Sequence, residues 1–176
     1  MKKLLVIGFS AALLLGACSE ETATDTTNEE TAGTEEAAGS SADMKQEMMR
    51  FYMSVPNTIN ASDADLNAFE AAQADASLPE GEDLQKMKDA AKAAAEKTAA
   101  AVEGIEIPET LEEQKGEIEE ALALIKESYD MKAEELTKEA SFEAASAKFQ
   151  EADDKFNALL EAQELNPSSI QNEVSQ

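Results

Sequence analysis

Beyond residue 42 the apolar side chains recur at intervals of three and four, and no stretch alternates with period two, so the chain predicts amphipathic helices rather than strands. The first stripe is Met44, Met48, Phe51, Val55, Ile59, Leu66 and Phe69, and it keeps one phase across Pro56. Continuity of phase predicts one long helix from about Met44 to Ala74, kinked at Pro56. Against it stand the missing proline N–H and the capping pattern of Ser62 followed by Asp63 and Asp65. Leu78-Pro79-Glu80-Gly81 signals a turn. A second helix from about Asp83 to Glu103 turns Leu84, Met87, Ala91, Ala94, Thr98, Ala101 and Val102 inward, with Gly104 suited to a left-handed C-terminal cap.

After the linker Ile105 to Pro108, Thr110 and Glu113 form a capping box for a third helix carrying Leu111, Ile118, Leu122, Ile125, Tyr129 and Leu136. At Ser141 the stripe shifts phase and restarts at Phe142, continuing through Ala145, Phe149, Phe156, Leu159 and Leu160. A one-residue offset rotates an apolar stripe by about 100°, which predicts a tight break there and a fourth helix ending at Asn166-Pro167. The expected fold is all-α, a small antiparallel bundle of about four helices over residues 43–165, followed by a flexible tail over 166–176. An elongated hairpin or coiled coil that completes its core by oligomerising is the competing architecture, and the oligomeric state is open.

The first residues change the picture. Lys2 and Lys3 precede an apolar run from Leu4 to Leu15, too short for the roughly 20 residues of a permanent membrane helix, and the combination has the form of an export signal. It ends in Leu15-Gly16-Ala17-Cys18. This arrangement resembles the lipobox of bacterial lipoprotein precursors. The resemblance implies a signal peptide over residues 1–17, cleavage by signal peptidase II between Ala17 and Cys18, and acylation of Cys18. Acylation would also account for the lone thiol, which in an ordinary secreted chain would stand unpaired. Two or more acyl chains, typical of that family, would anchor stably where one holds only marginally.

From Ser19 to Ala42 the chain is mainly Glu, Thr, Ala, Ser and Gly, with seven acidic residues, no basic ones and no large apolar side chain. Too little apolar surface is present to offset ordering entropy, so residues 18–42 are expected to form an acylated, disordered acidic tether reaching about 25–30 Å on average.

The charge balance is 38 acidic against 14 basic residues without histidine, a net −24, which deepens to −26 when Lys2 and Lys3 leave with the signal. Such a chain lacks the basic footprint of nucleic-acid binding and every mechanism built on imidazole. Asp63, Asp65 and Asn67 match the first ligand positions of an EF-hand loop, but Ala68 and Ala74 stand where its glycine and bidentate glutamate belong. Met44, Met48, Met49 and Met53 could offer thioethers to Cu(I), although core filling explains them more simply. The pairs Glu112-Glu113, Glu119-Glu120, Glu134-Glu135 and Asp153-Asp154 fall largely on polar faces beside lysines, where a carboxyl lacks the burial a general acid needs. No catalytic, metal or cofactor site is expected.

Lipobox, acidic tether and helical domain together resemble the small helical lipoproteins of Gram-positive bacteria. That resemblance implies an exported protein held on the outer face of the cell membrane through Cys18, while the anchor, the tether and a helical domain without a catalytic set point to a non-enzymatic interaction or structural module toward a cell-surface protein partner. The alternative is a low-affinity divalent-cation-binding surface protein, with a carboxylate-dependent cell-wall hydrolase as the third reading.

Overall fold

Alanine, glutamate, lysine and leucine order cheaply into helix. The computed structural model describes residues 35–174, with side chains from Ser41, and over that span the chain is helical without a strand. The elements are α1 (Glu35–Asn60), α2 (Ala64–Ala74), α3 (Glu82–Glu103), a 3-10 turn at Glu109–Leu111, α4 (Lys115–Glu135), α5 (Glu143–Ala162) and α6 (Ile170–Val174).

Contacts at the helix ends set the directions. Met44 near the foot of α1 meets Gln114, just before α4. At the other end Gln73 of α2 donates to the Ala140 carbonyl beyond α4, and Lys88 near the start of α3 donates to the Lys138 carbonyl. Thus α1 and α2 together run parallel to α4, while α3 and α5 run the other way. Lys45 of α1 pairs with Glu164 beyond the end of α5. This is the expected four-element antiparallel bundle, with its first element broken in two and α6 added.

Four aromatic contacts supply much of the core volume. Phe156 of α5 lies against Phe51 and Tyr52 of α1 at 6.5 and 5.9 Å between ring centres. Phe149 meets Tyr129 at 6.1 Å, and Phe142 meets Phe69 at 6.2 Å, both edge to face. Opposite this bulk, α3 presents Ala91, Ala94, Ala95, Thr98, Ala99 and Val102, all buried. The inward residues expected on the third helix, Leu111 through Leu136, are also buried.

The boundaries differ in five places. First, the long kinked helix is two helices. The chain passes helically through Pro56, whose ring is buried, and breaks instead at Ala61-Ser62-Asp63. Ile59 and Leu66 are both fully buried and seven residues apart, two helical turns, so the stripe stays in phase across a break. Second, the Thr110 capping box does not form. The fully buried Leu111 draws the chain into the 3-10 turn, and α4 starts at Lys115 with Gln114 as its cap. Here too the flanking core residues, Leu111 and Ile118, are seven apart.

Third, Gly104 has φ −85° rather than a left-handed conformation. The left-handed positions after helices are taken by Ala76, Ala140 and Glu164 at φ 52, 54 and 55°. Ser77 and Leu165 donate back to the Ala72 and Leu160 carbonyls, the long bond that closes a Schellman cap. Fourth, α1 spans Glu35–Asn60, so its described part reaches into the span assigned to the tether.

Fifth, the tail assigned to residues 166–176 is not loose through residue 174. Ile170 and Val174 of α6 lie in the core at 0 and 4% exposure. Asp153 of α5 accepts bonds from the Ser169 hydroxyl and the Ile170 and Gln171 amides at 2.6, 3.0 and 3.3 Å, and Asn157 accepts from the Ser168 amide at 2.9 Å. At the far end of α6, Asn67 donates to the Val174 carbonyl at 2.9 Å.

A residue with a β-carbon at positive φ is strained where glycine is not, and glycine at an ordinary helical φ wastes chain entropy. Ala76→Gly and Glu164→Gly are therefore expected to raise stability by about 0.5–1 kcal/mol each. Gly104→Ala, whose added β-carbon would meet neighbours no closer than 3.5 Å, should be neutral or stabilising. Denaturant midpoints check all three.

Candidate functional site

Two places concentrate polar chemistry. One is buried where α1 passes into α2. Asp63 occupies the N-cap position of α2, yet its side chain makes no capping bond and turns inward at 1% exposure. There it accepts a hydrogen bond from the Tyr129 hydroxyl of α4 at 3.2 Å. Burial pushes the Asp63 carboxyl above the ordinary range, while hydrogen bonds from Tyr129 and Asn67 and the charge of Lys132 pull it back. Burial and the adjoining Asp63 carboxylate hold the Tyr129 phenol far above its usual value, so it remains a donor.

Lys132 extends the cluster. Its ammonium lies 2.7 Å from the Glu70 carboxylate, over the Tyr129 and Phe142 rings at 5.5 and 5.8 Å. The side chains come from α2, α4 and the start of α5, and they consume one another: carboxylate to phenol, carboxylate to ammonium, ammonium to ring. Chemically the arrangement joins three elements, and its acidic and basic groups are already paired, the partly exposed Glu70 with Lys132 and the buried Asp63 with Tyr129.

The other place is open. Where α3 ends, the linker Ile105 to Pro108 arches over the start of α4 and encloses a cleft of about 550 Å³. Val102, Ile105, Ile107 and Leu122 provide apolar floor and walls, and Glu103, Glu106 and Glu119 stand around them with Lys115 and Lys126. Its volume and its mixture of apolar lining with a few polar groups are those of a ligand site. The signal in the sequence was Ile105 and Ile107, two apolar residues in an acidic linker, which pattern-reading treats as connection because two residues establish no period.

The residues singled out from sequence do not converge. Ala17 and Cys18 lie outside the described residues, as do the signal peptide and the first part of the tether. Asp63 is buried and bonded to Tyr129 and Asn67, Asn67 also donates to the Val174 carbonyl, and Asp65 is exposed, so the three EF-hand positions do not converge as a ligand set. Met48 is in the core and Met44 packs against it, whereas Met49 and Met53 face solvent at 38 and 46% exposure.

Of the carboxylate pairs, Glu112, Glu113, Glu119, Glu120, Glu134 and Asp154 are exposed. Glu112 lies 3.5 Å from Lys115, and Glu134 lies 2.7 Å from Lys138. Asp153 departs from its pair and is buried, its carboxyl raised chiefly by desolvation. No group of three or more His, Cys, Asp or Glu side chains converges as a metal site among the described residues, and no described helix is long and apolar enough to cross a membrane.

Tyr129→Phe removes the hydroxyl donor and leaves the buried Asp63 carboxylate short of a partner, and a loss of about 1.5–3 kcal/mol is expected by urea unfolding at pH 7. Asp63 and Asp153 also make a pH prediction. A carboxyl whose pKa is raised by folding holds its proton more tightly in the folded chain. Stability then declines as pH rises from the unfolded value, about 4, through the folded pKa, and returns on acidification. The melting temperature should rise on going from pH 7 toward pH 4.5, and Asp63→Asn with Asp153→Asn should reduce that rise. Set against family models, curated proteins and solved structures, the chain matches none.

Proposed function

We propose that the protein is an exported lipoprotein, anchored by acylated Cys18 to the outer face of the cell membrane, and that its helical bundle is a non-enzymatic module for contact with a partner at the cell surface. The observation that carries this is Leu15-Gly16-Ala17-Cys18 at the end of a twelve-residue apolar run behind Lys2 and Lys3. Support comes from the use of the polar groups inside the bundle. Asp63, Asp153 and Ser128 each bond across to another segment of the chain, as structural rather than reactive groups do. The cleft beside the linker provides a surface for contact.

Fractionation of bacteria expressing the chain tests the anchor. The wild type should sediment with membranes, partition into detergent, and yield an N-terminal peptide beginning at a diacylated Cys18. Cys18→Ala should abolish the lipid and prevent cleavage after Ala17. An unmodified Cys18 on a soluble chain would sink the proposal.

A further inference from the structure

The cleft at the α3–α4 linker is charged in a way that selects its occupant. Of the two lysines on its rim, Lys126 is held by Asp130 at 2.9 Å, and Lys115 is 3.5 Å from Glu112, so carboxylates outside the cleft already answer both. Glu103 is only loosely engaged, 3.9 Å from Lys126. Glu106 and Glu119 are exposed and make no ion pair among the described residues. What the cleft offers a newcomer is therefore an apolar floor bordered by unanswered negative charge.

Candidate occupants sort by charge. The chain's own residues 19–34 are acidic without a single basic side chain, and a second copy brings another net −24. Both are repelled by a rim of carboxylates, and the field of the whole molecule adds to that repulsion. A basic partner is attracted by the same field, and its apolar side chains have a floor to cover.

We propose that the cleft docks a short cationic amphipathic segment of a partner protein. An aliphatic or aromatic side chain sits on Val102, Ile105, Ile107 and Leu122, and flanking lysines or arginines pair with Glu106 and Glu119. This rests on the interaction-module reading and names the chemistry of the partner.

The test uses the full chain in phosphatidylcholine nanodiscs, with empty nanodiscs as background, and a fluorescein-labelled peptide of leucine and lysine at helical spacing read by polarisation. The peptide should bind saturably, one per chain, and at least about tenfold more tightly than its leucine and glutamate counterpart. Glu106→Lys with Glu119→Lys should weaken binding by about tenfold or more, whereas Glu139→Lys with Glu143→Lys, an equal change of charge at the opposite end of the bundle, should change it by less than about twofold. Ile107→Ser, with helicity unchanged by circular dichroism, should weaken it about fivefold or more.

Equal losses from the two charge pairs, indifference to Ile107→Ser, or binding that does not saturate would each overturn the cleft as a docking site. The same preparations are scored for lipid on Cys18. An acylated chain that fails to bind peptide defeats the cleft alone, and an unacylated chain that binds defeats the anchor alone.

Discussion

The bundle depends on how closely α3 lets its neighbours approach. Its inward face is alanine at four positions, with Thr98 and Val102, and it packs against α1, α2 and α4. Alanine adds little apolar area of its own, so the area must come from the partners. Phe51, Tyr52, Phe69, Tyr129, Phe149 and Phe156 supply it from the other helices, packed largely against one another and against Phe142. Interiors pack near the density of organic crystals, so each site allotted to an aromatic ring restricts what the facing helix can carry there.

Stripes rich in alanine have a weakness, since a helix can slide by a turn and find nearly equivalent contacts. The buried polar groups oppose such slippage. Asp63 meets Tyr129 across from α2 to α4, Ser128 of α4 donates to the Ala145 carbonyl of α5 at 2.7 Å, and Thr98 of α3 reaches Ser62 at 3.2 Å. Each bond exists in one register only. A displaced helix would leave the Asp63 carboxylate and the Ser128 hydroxyl buried without these partners, at a cost of about 1–3 kcal/mol each, whereas Thr98 would keep its bond to the Ala94 carbonyl of its own helix. Apolar area draws the helices together, and these few bonds discriminate among the ways they could meet.

Much of this order was legible in the amino-acid sequence. The helical class, the four apolar stripes and the break near Ser141 follow from periodicity, because periodicity records which face is buried. It does not record whether the backbone is continuous. Ile59 to Leu66 and Leu111 to Ile118 both span two turns, and in both the chain leaves the helix and re-enters with the stripe still in phase. Local capping signals divide. The pattern of Ser62, Asp63 and Asp65 marks a real helix start, since α2 begins at Ala64, although a tertiary contact claims the Asp63 side chain, whereas the burial of Leu111 moves the start of α4 past Thr110. The docking of α6 was invisible because Asn67 is distant in sequence and Asp153, though nearer, is one of many acidic residues with nothing in its neighbourhood to mark it as buried. The cleft escaped notice because a concavity belongs to three segments at once.

The binding of α6 also orders events in time. Asn60 and Asn67 bond to Glu173 and Val174, more than a hundred residues downstream, and Phe51 and Tyr52 meet Phe156. The first helix thus has no complete set of neighbours until residues 173 and 174 have been made. On the reading of this chain as exported, that delay is useful. A polypeptide threaded through a secretion channel must stay unfolded until it has passed, and this one places contacts that close its bundle 107 and 113 residues behind their partners.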